Sequence, residues 1–206
     1  LVDEYGVDAY RYYFLREFSF GQDGNFSFRT LNERYNADLA NDLGNLESRV
    51  MTVVQKYRGG IVPRGGEPGS EERRLAARSR EVAAVVEKKM ERLSFNEALS
   101  EIWDFIHSVN RYVDVTAPWA LAKEEKHAAE LDLVLYTSLE CLRQIALLVS
   151  PFMPGAAANI WKRLGIPEPV SSARIPGSAE WGLLQPGLAT TRGEALFPRK
   201  LGVHQS

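Results

Sequence analysis

No proline interrupts residues 27–58, and within them Leu31, Tyr35, Leu39, Leu43, Leu46, Val50, Val53 and Tyr57 recur at steps of three or four. That spacing follows the 3.6-residue turn of an α-helix and places these side chains on one face. Ser27 can cap the start and Gly59-Gly60 ends the run, which predicts a helix about 45 Å long. A rod with a single apolar face must be covered by other helices, so an all-α fold is expected.

The rest of the chain supplies those helices. Residues 1–17 carry a helical pattern with Val7, Tyr10, Tyr13 and Phe14 toward one side, and the aromatic run 18–26, punctuated by Gly21 and Gly24, reads as turn chemistry. Residues 59–70, with five glycines and two prolines, read as an exposed loop. A second helix starts at Ser70, read as its cap, and reaches about Arg92 with a mostly solvated face. A third starts at Ser94, with Glu97 as its capping-box partner, and stops before Pro118. Residues 119–126 form a short turn or helix. A fourth long helix runs over 128–150, apolar nearly all round between Ile145 and Val149 and therefore central. Pro154 to Leu164 makes a fifth, closed by Gly165. The expected architecture is an antiparallel bundle of about five helices over 27–175. A helix–turn appendage at 1–26 precedes it, and a surface tail at 176–206 follows, anchored by Trp181, Leu183-Leu184 and Leu196-Phe197.

Composition narrows the class. With 206 residues, 45% hydrophobic and 25% charged, the chain can bury a core and is neither disordered nor collagen-like. No apolar run approaches the roughly 18 residues of a membrane span, so no membrane partner is expected. Its one cysteine, Cys141, makes no internal disulfide, which makes a reducing, cytoplasmic setting the default. The net charge of −2 excludes a strongly basic nucleic-acid binder, so an RNA role would rest on a local site. The chain opens on Leu-Val-Asp-Glu and is read as a piece of a longer protein.

Catalytic chemistry is not legible. His107, His127 and His204 are scattered without metal-ligand spacing, and Gly59-Gly60 and Gly65-Gly66 follow a helix, the wrong context for a phosphate cradle. Carboxylate pairs such as Glu71/Glu72 and Glu124/Glu125 sit in charge-dense segments that read as solvated. Two features remain. Asn36, Asp38, Asn41, Asp42 and Asn45 crowd into the interior of the long helix, and Asn45 and Arg49 share one face. An amide beside a guanidinium can bond a base edge; alternatively the polar residues bond neighbouring helices while Arg49 pairs with a carboxylate. Pro118-Trp119 places an indole at a rigid helix junction, either a stacking platform for an unpaired base or a plug in the bundle's end. Trp103, Trp161 and Trp181 read as plugs.

These residues resemble the carboxyl-terminal part of the methionyl-tRNA synthetases, a class I aminoacyl-tRNA synthetase family. The resemblance runs through 8–16 (DAYRYYFLR), 20–27 (FGQDGNFS), 36–49, Asn110-Arg111-Tyr112 with Pro118-Trp119, 150–154 (SPFMP) and 196–199 (LFPR). It implies an anticodon-binding domain in which Asn45 and Arg49 contact the first anticodon base, a cytosine. Trp119 stacks on that base, and Asp114 and Pro118 shape the pocket. The partners implied are methionine tRNA and a catalytic domain of the same chain, and the protein is expected to be a monomer. The family's ATP-handling signatures and its cysteine-rich zinc knuckle are absent. ATP and zinc are therefore expected to serve the full-length ligase, and this stretch alone should bind no cofactor and be inactive. Two other readings stay open: the anticodon domain of another class I synthetase, and a helical interaction module with no RNA role.

Overall fold

The computed structural model describes residues 2–21 and 25–200. Among these, nine α-helices account for the architecture: α1 (Val2–Tyr5), α2 (Val7–Glu17), α3 (Phe28–Arg34), α4 (Asn45–Arg58), α5 (Ser70–Glu91), α6 (Phe95–Thr116), α7 (Pro118–Leu121), α8 (Ala128–Val149) and α9 (Pro154–Arg163). A π-helical segment, Tyr35–Gly44, joins α3 to α4 without a break. The expected all-α bundle is what the chain forms. The turn residue Gly24 and His204 lie outside the described residues.

Punctuation in the sequence explains most boundaries. Ser27 accepts a hydrogen bond from the Thr30 amide (3.4 Å) and starts α3. Gly59, in the left-handed conformation, ends α4. Leu93 (φ 57°) turns the chain between α5 and α6, which return side by side. At the centre lies α8, buried without interruption from Thr137 to Val149 and packed on α4, α5, α6, α7 and α9.

Several expectations need correction. The apolar face of the first segment is misplaced. Gly6 divides it, and Tyr5, Ala9, Tyr12 and Tyr13 are buried while Val7 and Phe14 are exposed. Aromatics occur on every side there, so periodicity could not choose among them, and the tyrosines win because their hydroxyls find acceptors; Tyr12 donates to Asp38 Oδ2 at 2.7 Å. Helix α5 is capped by Gly69, with Ser70 already helical. No capping box forms at α6, because Glu97 pairs instead with Lys89 (2.6 Å) across the turn. The long helix has the expected extent, but its ten middle residues widen to i→i+5 bonding. Of the tryptophans, Trp103 and Trp161 are buried as expected, while Trp181 is only half-buried.

The tail is fastened rather than draped. Glu140 and Arg143 of α8, both fully buried, form a bidentate pair (2.6 and 2.9 Å). Arg143 then donates to the carbonyls of Ser178 and Glu180, and Glu140 accepts from the amides of Gly182 and Leu184. Farther along, Ile61 and Ala189 form an antiparallel bridge, and the Asn36 side-chain amide donates to the Lys200 carbonyl and accepts from the Lys200 N–H. Removing one member of a buried ion pair strands the other charge, at a cost of about 3–5 kcal/mol. Glu140→Ala should therefore lower the urea midpoint by that equivalent and expose residues 177–185 to protease; an unchanged midpoint would refute this role.

Candidate nucleic-acid interface

Three elements converge where the π-helical segment gives way to α4, just past the middle of the long helix. The first two turns of α4 carry Asn45 and Arg49, the second half of α6 carries His107, Asn110 and Asp114, and α7 begins with Pro118-Trp119. Thr116 is the last residue of α6 because the following residue precedes a proline. Ala117 bends the chain with φ 42°, a left-handed conformation that a non-glycine residue adopts only when its surroundings enforce it. Its amide bonds to the Val113 carbonyl, and its own carbonyl accepts from Ala120 and Leu121. Pro118 is buried beneath the turn, and Trp119 is held above it with 39% of its surface exposed.

Arg49 joins the two helices. Its Nη2 donates to Asp114 Oδ1 at 2.5 Å, and its guanidinium carbon lies 5.4 Å from the centre of the Trp119 ring. That distance is within the range of a cation–π contact. Arg49 thus does pair with a carboxylate on an adjacent helix, as one reading had it, and the same pairing sets the guanidinium against the indole. Asn45 lies one turn before Arg49, about 6 Å along the axis. It is exposed, and among the described residues its side chain makes no hydrogen bond.

The other polar residues of the long helix have partners. Asn36 bonds Lys200, Asp38 accepts from Tyr12 and Arg34, Asn41 accepts from Arg199 (2.6 and 3.0 Å), and Asp42 meets His107 Nε2 at 2.9 Å. Burial first, and then the Asp38 carboxylate, push the Tyr12 phenol well above its ordinary range, so it remains a donor. Tethering to neighbouring elements is therefore correct for four of the five residues and leaves Asn45 as the free amide.

All five expected site residues come together at this junction: Asn45, Arg49, Asp114 and Trp119 toward the surface, with Pro118 beneath. Two features were missed. His107, read only as lacking metal-ligand spacing, bridges to Asp42, and its seven-residue offset from Asp114, two turns on one face, was the available signal. Val115, 74% exposed beside Asp114, has no counterpart in the apolar periodicity.

Comparison with known proteins identifies the family. The family described as the anticodon binding domain of methionyl tRNA ligase matches residues 62–203, and that described as class I tRNA synthetases (M) matches residues 1–51. The methionine–tRNA ligase of Caldanaerobacter subterraneus is 45% identical over 97% of this chain and 31% of its own length; that of Streptomyces coelicolor is 39% identical over 97% and 38%. The chain thus spans about a third of the curated relatives it matches. The apo crystal structure of Mycobacterium tuberculosis methionyl-tRNA synthetase superposes with a TM-score of 0.86 at 34% identity, covering 98% of this chain and 40% of that one. Its methionyl-adenylate complex gives 0.85 at 35%, covering 96% and 38%. The chain belongs to the methionyl-tRNA ligase family and contains its anticodon-binding domain.

Proposed function

We propose that this domain reads the CAU anticodon of methionine tRNA for a ligase that joins methionine to that tRNA with ATP. The observation that carries the reading is the exposed Trp119 indole flanked by the Arg49 guanidinium and the unpartnered Asn45 amide. Cytosine presents acceptors at O2 and N3; Arg49 and Asn45 offer donors to them, and the indole supplies a face for the ring. Asp114 orients Arg49, and Pro118 fixes the angle of Trp119.

The ATP-dependent step belongs in this reading to the catalytic domain of the same protein. Among the described residues no group of three or more His, Cys, Asp or Glu could hold a metal ion. The N-terminal elements supply a contact for that domain: Phe14, Phe26 and Phe28 are all exposed, Phe14 stacks on Phe26 at 5.9 Å, and Phe28 meets Phe26 edge-on at 4.8 Å. Such a cluster of apolar rings is a surface that another domain covers.

Stacking on an exposed aromatic contributes roughly 1–3 kcal/mol per base. Trp119→Ala should therefore weaken binding of an anticodon stem-loop by about 5- to 150-fold. Because the indole is partly exposed, its melting temperature should fall far less than the roughly 3–5 kcal/mol of a buried plug would require. Arg49→Ala should cost a similar affinity and also blunt the preference for cytosine over uracil, which Trp119→Ala should blunt less. A strongly destabilised Trp119 variant, or a folded one with unchanged affinity, would overturn the stacking role.

Salt dependence gives an independent check. Residues 1–60 and 61–130 each carry a net −2 and residues 131–206 carry +2, so few phosphates can be neutralised. The slope of log affinity against log salt should be shallow, about −2 to −4, and a slope of about −8 would contradict it. By the same reading, the 206-residue chain should catalyse no methionine-dependent ATP–pyrophosphate exchange above a contaminant control.

A further inference from the structure

Glu72 departs from the solvated face read for its segment: only 9% of it is exposed. Buried carboxylates are ordinarily paired with a cation. Among the described residues Glu72 has no ion-pair partner, and its one side-chain hydrogen bond comes from the Tyr112 hydroxyl at 2.6 Å. Burial first, and then Glu72 itself, raise the Tyr112 phenol, so it stays a neutral donor. The first turn of α5 offsets about half an elementary charge through its free amides. The remainder is uncompensated.

Glu72 also lines a pocket of about 490 Å³ between the loop 64–68, α8 and the tail, with its Oε1 held by Tyr112 and its Oε2 turned toward Gly69 at the start of α5. Tyr136 of α8 and the half-buried Trp181 of the tail form aromatic walls. The loop lies directly on the Tyr136 ring. A Cβ at Gly65 would stand 2.7 Å from Tyr136 Cδ1, so only glycine permits the approach. Pairing of Val62 with Leu188 and of Gly60 with Thr190 holds the base of that loop against the tail. The Tyr136 hydroxyl is already committed to the Leu184 carbonyl, which presents the ring rather than the oxygen. Arg64 sits at the exposed mouth.

A carboxylate without a paired cation, lining one pocket with two aromatic rings, is an arrangement suited to an organic cation, because ring faces and carboxylates attract the same charge. We propose that this pocket binds the ammonium group of a small primary amine, with Glu72 taking the charge and Trp181 and Tyr136 flanking the alkyl stem. Arg64 at the mouth disfavours a second positive charge on the ligand. The site lies apart from Asn45, Arg49 and Trp119 and shares no residue with them, so it stands or falls independently of the RNA reading.

Calorimetric titration of the 206-residue chain with n-butylammonium chloride, with n-butanol as the neutral isostere, tests it. Saturable binding of the ammonium and not of the alcohol is expected. Glu72→Gln, which keeps an acceptor for Tyr112, should reduce the affinity at least tenfold, and Trp181→Leu severalfold. No saturable binding, equal binding of n-butanol, or unchanged affinity in Glu72→Gln would overturn the assignment. If Glu72→Gln fails to fold, Trp181→Leu decides: its side chain makes no hydrogen bond among the described residues, and unchanged affinity there overturns the proposal equally.

Discussion

The bidentate pair between Glu140 and Arg143, in the driest part of the molecule, fixes much of what surrounds it. Burying two charges is costly, and their mutual attraction offsets that cost only when every remaining donor and acceptor is used. Here the satisfying groups are backbone atoms of the tail: the carbonyls of Ser178 and Glu180 and the amides of Gly182 and Leu184. Gln144 adds bonds to the carbonyls of Ala179 and Glu180. A segment with almost no secondary structure of its own is thereby held in one conformation, because any other leaves a charge unsatisfied in the core. The tail then crosses to the start of the long helix, where Tyr35 donates to the Pro198 carbonyl and packs against Phe197.

That return path gives the π-helical segment a structural reason. In i→i+5 geometry, residues five apart come to one side, and Asn36 and Asn41 are the pair that grip the tail through Lys200 and Arg199. Asp38 is turned toward Tyr12 of α2, and Asp42 toward His107 of α6. Gly44 closes the segment at a tight place: a Cβ there would stand 3.0 Å from the Leu39 carbonyl oxygen and 3.7 Å from the Phe197 amide. Normal α-helix resumes at Asn45. The widened turns therefore set the rotation with which α4 presents Asn45 and Arg49 to α6 and α7, so the tail contacts and the site geometry are parts of one arrangement.

What could be read from the sequence follows from which interactions are local. Proline and glycine act on their own backbone, so Pro118, Gly59 and Gly165 marked helix ends correctly. The α8 core was legible because a run as apolar as Ile145 to Val149 has no solvent-compatible face. The exposed cluster of Asn45, Arg49, Asp114 and Trp119 was reached through its residue types and the family resemblance together. The failures involve long-range choices. Which aromatics of α2 are buried depends on acceptors such as Asp38, contributed by another helix. The burial of Glu72 depends on Tyr112, forty residues away. Glu97 had a local capping role available and was drawn to Lys89 instead, because the α5–α6 turn brings that ammonium within reach.

The same non-local logic bears on how the site would work under the proposed reading. In the free protein the Arg49 guanidinium lies against the Trp119 ring while tied to Asp114. A base stacking on that face displaces a cation–π contact worth about 0.5–1 kcal/mol at an exposed site. It leaves an exposed ion pair worth about 0–1 kcal/mol intact or replaced by bonds to the base edge. Against that stands stacking of about 1–3 kcal/mol together with the new hydrogen bonds. The balance favours the base, but only modestly for one that stacks without offering acceptors to Arg49. A ring that satisfies the guanidinium recovers what the free state gives up, and one that does not leaves Arg49 better placed over the indole. Selectivity for cytosine then comes from competition with a contact already present in the unbound site, and Asp114 sets how strongly that contact competes.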